Sequence, residues 1–120
     1  MLARAHRGCY AWGSVKALPL RWLEAGLERC DDEYCVRETF REGICFVAQD
    51  IRQALPTGDF DLVLCRNLVC TYFAEALQRK LLAQIAERLV PGGVLILGAH
   101  ETLPPNDVGL VAYPGHQGIV

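Results

Sequence analysis

Residues 60–98 constrain the fold most, because a long helical pattern lies between two strand patterns within them. Residues 60–65 (FDLVLC) are almost wholly apolar after the second position, as in a parallel strand that is covered on both faces. Between residues 74 and 90 an apolar residue recurs at every fourth position and polar residues fill the other faces, which predicts an amphipathic helix. A Pro-Gly-Gly tripeptide stops it, and residues 94–97 predict a second buried strand. Such a unit joins parallel strands by a right-handed crossover, so the expected fold class is α/β.

The first half of the chain predicts shorter elements. Residues 2–9 predict the end of a helix, and residues 18–27 predict a short amphipathic helix with a proline in its first turn. Residues 34–40 alternate apolar and polar side chains and residues 44–48 are apolar, so we expect two strands there, either successive or paired as a hairpin. Residues 49–59 carry turn-forming residues and predict a loop.

Composition and charge exclude several classes of protein. The chain has 120 residues, of which 52% are hydrophobic and 22% charged, as expected for one globular domain. A net charge of −2 gives no basic field for a nucleic acid or an anionic membrane surface. The apolar runs are strand-length, well short of the roughly 20 residues that span a bilayer, and no secretory signal is recognisable. We therefore expect neither a nucleic-acid partner nor membrane insertion, and a cytoplasmic location.

Six cysteines would suggest a disulfide framework in a small secreted protein, yet none forms a CxxC pair or a zinc-binding spacing. Cys45 and Cys65 lie inside apolar runs, where a cysteine behaves as a small buried hydrophobe. The sequence favours reduced thiols and indicates no metal site.

Polar residues follow each of the three apolar strand patterns of the expected parallel sheet. Asp50 follows the first, Arg66 and Asn67 follow the second, and His100 and Glu101 follow the third. Ligands of open parallel sheets bind outside the carboxyl ends of the strands. These positions are therefore the candidate site, although Asp and Asn also occur in loops merely to cap turns.

The order of these motifs resembles one family. Residues 60–67 (FDLVLCRN), the Tyr72-Phe73 pair, and residues 89–98 (LVPGGVLILG) followed by Glu101 resemble the FDxIxCRN, YF, LxPGGxLxLG and SE pattern of CheR-type methyltransferases. Residues 46–51 and 2–10 resemble segments that precede this pattern in the family. The resemblance therefore covers nearly the whole chain, up to about residue 105. It implies a class I S-adenosylmethionine-dependent methyltransferase that transfers a methyl group to a glutamate carboxylate of a protein substrate.

The resemblance also implies roles for individual residues. Asp50 and Ile51 match positions that address the adenine, one through its amino edge and one through packing. Arg66, Asn67 and Leu68 match the loop beneath the ribose and methionine portion of S-adenosylmethionine. A carboxylate can accept a hydrogen bond from the adenine amino group, and an amide can both donate and accept.

Tyr72 resembles the catalytic tyrosine near the transferred methyl group and the substrate carboxylate. In the family pattern that tyrosine follows the arginine by five residues, whereas Tyr72 follows Arg66 by six. One extra residue at a helix start rotates the later residues by about 100°, so an alternative is that the ring packs against a neighbouring turn. For Glu101 a helix cap or a salt bridge is expected rather than a substrate contact, and for His100 a loop position.

The expected architecture is a truncated Rossmann-like methyltransferase sheet, because no strand followed by a GxGxxG-like turn is found. We expect a partial methyltransferase domain over residues 1–105 and a loop-rich tail over residues 106–120. Strands without a central neighbour expose unpaired backbone groups, which predicts a dimer or a complementing fragment, and no independent activity. The alternative function is a non-catalytic α/β interaction module; an unrelated thiol-rich α/β protein is disfavoured by the ordered motifs.

Overall fold

A three-stranded antiparallel sheet organises residues Met1–Ala48 and a parallel strand pair organises residues Gln49–Val120 in the computed structural model, which describes all 120 residues.

The first unit places a short helix on either side of its first strand. Its elements, in chain order, are α1 (Leu2–Arg7), β1 (Cys9–Tyr10), α2 (Trp12–Val15), α3 (Leu20–Gly26), β2 (Leu27–Cys30), β3 (Glu33–Val36) and a 3-10 turn (Glu38–Phe40). The helices predicted at residues 2–9 and 18–27 are confirmed as α1 and α3. Gly8 ends α1 in the left-handed conformation, with φ 66°, and its N–H donates to the carbonyl of Arg4.

The strand order in this sheet is β1-β3-β2. Cys30 pairs with Glu33, so only Asp31 and Asp32 connect β2 to β3, and Asp31 has the positive φ (53°) that such tight hairpin turns require. The prediction for residues 34–40 is partly confirmed, since the strand is Glu33–Val36 and the rest forms the 3-10 turn.

The strand predicted at residues 44–48 is wrong. This segment has no regular structure, and Ile44 and Val47 are exposed. An apolar pattern supplies side chains for burial, but a strand also needs a neighbour for its backbone groups, and no strand of this unit pairs with these residues.

The expectation of six reduced thiols is also wrong, because Cys9 and Cys35 form a disulfide. The antiparallel register sets these residues directly opposite each other on β1 and β3, with a Cα–Cα distance of 4.0 Å. The other four cysteines are free: Cys65 is buried as predicted, whereas Cys45 is exposed.

The second unit contains the predicted strand, helix, strand arrangement. Its elements are β4 (Phe60–Cys65), α4 (Val69–Tyr72), α5 (Glu75–Arg88) and β5 (Leu89–Leu97), and β4 pairs in parallel with β5. The strand starts at Leu89, and the Pro-Gly-Gly tripeptide lies inside β5, where the register shifts between Phe60 and Leu62. Gly93 is required there, since a Cβ would lie 2.9 Å from the Val90 carbonyl oxygen.

The core of this unit lies between α5 and one face of the strand pair. It consists of buried side chains from β4, α4, α5 and β5, namely Cys65, Val69, Leu81, Leu82, Ile85, Leu95 and Leu97. The expectation that β4 is covered on both faces is wrong, because Leu62 and Leu64 are 51% and 65% exposed. Only one layer of helix packs on the strand pair, so the alternate residues of β4 face away from the core.

The tail covers the outer edge of β5. Ile119 forms an isolated antiparallel bridge with Ile96, and Leu95 and Val120 exchange backbone hydrogen bonds of 2.9 and 2.7 Å. Residues 110–113 have no regular secondary structure. None of the helices combines the length and apolar character needed to cross a membrane.

Candidate functional site

The loop that follows β4 has an unusual backbone. Asn67 lies in the left-handed region, with φ 53°, and Leu68 has φ −134° and ψ −80° as the residue preceding α4. Asparagine tolerates the left-handed region better than other residues that carry a Cβ. Arg66, Asn67 and Leu68, predicted from the resemblance as one cofactor loop, are all exposed.

The Glu101 carboxylate holds this loop through hydrogen bonds. The residue is only 4% exposed, and its carboxylate accepts four hydrogen bonds. Oε2 accepts from the backbone N–H groups of Asn67 and Gly98, both at 2.7 Å, and Oε1 accepts from the N–H of Leu68 at 3.2 Å and from the Thr71 hydroxyl at 2.6 Å. One carboxylate therefore joins the carboxyl end of β4, the start of α4 and the end of β5. The expected helix cap or salt bridge of Glu101 is not found, because its backbone donors Asn67 and Leu68 precede α4 and no cation pairs with it.

The same contacts decide the charge of Glu101. Burial raises the pKa of this carboxyl group, but the Thr71 hydroxyl and the three backbone N–H donors outweigh burial, and its pKa is lower than usual. The group is an anion at neutral pH. Since both oxygens are already occupied by protein donors, Glu101 is unsuited to act as a proton donor or as a ligand of a small molecule.

Gly98 lies where side chains of the loop and of Glu101 approach the strand end closely. A Cβ at Gly98 would overlap the side-chain amide oxygen of Asn67 and would lie 2.7 Å from Oε2 of Glu101. A side chain at residue 98 would therefore displace the Asn67 amide and the Glu101 carboxylate, and the carboxylate is held in place by its four hydrogen bonds.

The two thiols near Glu101 are not activated nucleophiles. Burial raises the pKa of Cys65 and Cys70, and the negative charge of Glu101 raises both further. Both groups remain protonated at neutral pH, which leaves them as small apolar side chains.

Asp50 and Ile51 lie in a turn that precedes β4. The Asp50 carboxylate accepts from the Arg52 guanidinium, with an Nη2–Oδ2 distance of 2.6 Å, and from the Arg52 backbone N–H at 3.0 Å. These hydrogen bonds lower the pKa of Asp50 to about 2. Ile51 packs against the core of the second unit. The hydrogen bonds of Asp50 thus remain local and do not connect it to the loop after β4.

Tyr72 lies at the last position of α4 and is 74% exposed. The hydroxyl group that donates to Glu101 is that of Thr71, five residues after Arg66. Sequence reasoning missed Thr71 and Gly98. Two features of the sequence could have indicated them. The tyrosine stands one residue later than in the family pattern, and a glycine ends the second strand pattern. His100 lies in an exposed turn, as predicted.

The arrangement defines a class of protein. A parallel strand pair joined by helices, with its polar residues gathered at the carboxyl ends, is the open α/β sheet whose members bind ligands at that edge. The family model described as CheR methyltransferase, SAM binding domain, matches residues 1–114. The chain belongs to this family, which confirms the resemblance seen in the sequence.

Individual relatives agree with the family. Chemotaxis protein methyltransferase 2 of Vibrio cholerae serotype O1 is 31% identical over 107 residues, which cover 86% of this chain and 37% of that protein. The chemotaxis protein methyltransferase of Listeria monocytogenes serovar 1/2a is 31% identical over 111 residues, covering 92% of this chain and 42% of that protein. The chemotaxis protein methyltransferase of Vibrio anguillarum is 35% identical over 74 residues, which cover 61% of this chain and 26% of that protein. The chain thus spans about a quarter to two fifths of the length of these relatives.

The residues present fit S-adenosylmethionine, the cofactor of this domain family. The Asp50–Arg52 pair lies at the surface, with Arg52 exposed and Asp50 partly exposed, and surface ion pairs are weak enough for a ligand amino group to replace one partner. Exposed Arg66 and Asn67 offer polar groups, and Leu68 offers an apolar surface, on a loop whose backbone is already fixed.

Proposed function

We propose that this chain forms the adenine-side part of an S-adenosylmethionine-dependent methyltransferase that methylates a carboxylate side chain of a protein. The observation that carries the proposal is the Asn67–Leu68 loop held at the carboxyl end of β4 by Glu101, in a chain matched by the family over residues 1–114. Because the chain spans less than half of its relatives, the activity is assigned to the larger assembly of which it is a part.

In this assignment Asp50 accepts from the adenine amino group and Ile51 contributes an apolar contact. Arg66, Asn67 and Leu68 lie beneath the ribose and methionine portion. S-adenosylmethionine supplies the electrophilic methyl group, so the contribution of the protein is to position the acceptor and exclude water. Tyr72 is proposed to approach the methyl group and the acceptor carboxylate, and its exposure leaves the ring free to do so.

The unpaired edge and exposed face of β4 support the proposal that another segment packs against this strand. The tail covers the far edge of β5, but no strand of this unit pairs with the free edge of β4, whose Leu62 and Leu64 are exposed. We propose that a complementing polypeptide segment packs there with a strand and a glycine-rich turn. The alternative is that a second copy of the chain packs there. Cofactor contacts at the methionine end would come from that segment.

Calorimetric titration with S-adenosylhomocysteine tests cofactor binding. Heat of binding by the folded chain, reduced in Asp50→Asn but unchanged in the matched variant Asp59→Asn, supports the assignment of the adenine site. Asp59 is an exposed carboxylate in the loop before β4, so this control makes the same chemical change nearby. The absence of heat from a folded sample, alone and with the remaining part of a relative's catalytic domain added, overturns cofactor binding and favours the interaction module.

Methyl transfer is tested in the complemented assembly with S-adenosylmethionine labelled in the methyl group. Transfer to a carboxylate produces an ester that releases labelled methanol in base, whereas transfer to nitrogen does not. Base-stable label in the protein substrate would overturn the proposed acceptor class while leaving cofactor binding intact.

A further inference from the structure

Glu101 differs from the other polar residues at the strand ends because every hydrogen bond it makes is internal. Four donors from the two strand ends and α4 converge on one carboxylate that is 4% exposed. A carboxylate offers about four lone-pair positions, so none remains for a ligand. The residue is therefore placed to act through the loop and not on a bound molecule.

The loop itself needs such support. Asn67 occupies the left-handed region and Leu68 lies outside the common backbone regions, and residues in sparsely populated conformations persist only when their surroundings hold them. Both side chains are exposed, whereas their N–H groups point at Glu101. The backbone bonds to Glu101 are thus the contacts that fix this conformation.

Thr71 completes the arrangement from the helix side. Its hydroxyl donates to Oε1 of Glu101 over 2.6 Å, the shortest of the four bonds. Thr71 stands five residues after Arg66, and the extra residue moves the tyrosine to position 72 at the exposed end of α4. Thr71 is exposed as a residue, but its hydroxyl donates to the internal Glu101 carboxylate.

We propose that Glu101 is a positioning residue that, together with the Thr71 hydroxyl, holds Asn67 and Leu68 in the conformation that binds the cofactor. This proposal rests on the proposed function for its ligand, but the loop conformation itself is measurable without ligand. Pre-ordering a binding loop strengthens binding because its ordering cost is met during folding.

The test compares Glu101→Gln and Thr71→Val with two matched controls in the full chain. Glutamine keeps the shape of Glu101 but turns an amide N–H₂ toward N–H donors, and valine replaces the Thr71 hydroxyl by a methyl group. Glu87→Gln makes the same charge change on the exposed side of α5. Thr71→Ser keeps the hydroxyl, so its behaviour separates loss of the hydrogen bond from loss of packing.

Two quantities are measured: the affinity for S-adenosylhomocysteine and the hydrogen exchange of the Asn67, Leu68 and Gly98 amides. We expect Glu101→Gln to weaken binding about tenfold or more and Thr71→Val several-fold, with both variants losing amide protection. Thr71→Ser and Glu87→Gln should stay within about twofold of the unsubstituted chain. Recovery by serine would not follow from a general loss of stability.

The outcomes separate this proposal from the proposed function. If the unsubstituted chain binds no S-adenosylhomocysteine either alone or with the remaining part of a relative's catalytic domain added, the proposed function fails, and the exchange rates alone decide the role of Glu101. Unchanged protection of the Asn67 and Leu68 amides in both Glu101→Gln and Thr71→Val overturns the positioning role, as does equal loss in Thr71→Ser and Thr71→Val. If Glu101→Gln does not fold, the Thr71 pair still gives the answer.

Discussion

The backbone N–H of Asn67 donates to Oε2 of Glu101 over 2.7 Å, and this one bond ties the ends of two parallel strands together. The two residues are 34 positions apart in the chain. The bond therefore exists only when β4 and β5 are paired in register, which links the local shape of the loop to the fold of the whole second unit.

Acidification should destabilise the second unit through Glu101. The pKa of Glu101 is lower in the folded chain than the usual value of 4.5, so the unfolded chain binds more protons as the pH falls. The stabilisation is complete above about 4.5 and is lost as the pH falls through the folded-state pKa. Urea unfolding from pH 7 to pH 3, followed by far-UV circular dichroism, measures it.

The Glu101→Gln variant supplies the reference for that titration. It should be less stable than the unsubstituted chain at pH 7 and the two should converge on acidification. Asp50 also has a lowered pKa, about 2, so the comparison is repeated in Asp50→Asn to remove its contribution at lower pH. Parallel pH curves for the chain and Glu101→Gln would contradict the charge state assigned to Glu101.

Gly98→Ala should destabilise the second unit by about 1 to 3 kcal/mol, because the new methyl group has no space between Asn67 and Glu101. Gly13→Ala is the matched change at a helical position where a Cβ meets nothing within 4 Å, and it should be neutral or stabilise by up to about 1 kcal/mol. Denaturant unfolding of both variants measures the difference. Equal effects would show that the loop does not approach Gly98 closely.

The Cys9–Cys35 disulfide predicts four reactive thiols in the unreduced, unfolded chain and six after reduction. Closing a loop of 26 residues should stabilise the first unit by about 3 to 4 kcal/mol. Both tryptophans lie in this unit, so their fluorescence reports its unfolding. The double variant Cys9→Ser/Cys35→Ser should unfold at lower denaturant than Cys30→Ser, which removes only a free exposed thiol. Six reactive thiols before reduction would contradict the pairing.

The strand, helix, strand unit could be predicted from the sequence because its periodicity is long and is bounded by a clear stop. The helix expected over residues 74–90 is α5 (Glu75–Arg88), and its buried Leu81 and Ile85 belong to the fourfold apolar repeat that predicted it. The helix cap expected of Glu101 is not found, because its backbone donors Asn67 and Leu68 lie in the loop before α4, and only the folded loop brings these N–H groups to the carboxylate.

The errors came from features that depend on pairing between distant segments. Residues 44–48 have the apolar content of a strand, but a strand exists only with a partner, which no local pattern specifies. Cys9 and Cys35 became neighbours through the β1–β3 register, which their spacing in the chain does not indicate. Leu62 and Leu64 belong to a fully apolar run that predicts two covered faces, whereas only the face with Val63 and Cys65 meets α5.

Truncation of Leu81 should cost much more stability than truncation of Leu64. The comparison tests whether the exposed face of β4 is a contact surface. Leu81 is fully buried, so Leu81→Ala should cost about 2 to 5 kcal/mol in the isolated chain. Leu64 is 65% exposed, so Leu64→Ala should change the stability of the isolated chain by less than about 0.5 kcal/mol.

If a second copy covers β4, sedimentation equilibrium should show a dimer that Leu64→Asp converts to a monomer without unfolding it. A dimer that Leu64→Asp leaves intact would place the contact elsewhere, and a large cost of Leu64→Ala in the monomer would mean that this face of β4 is already buried within the chain.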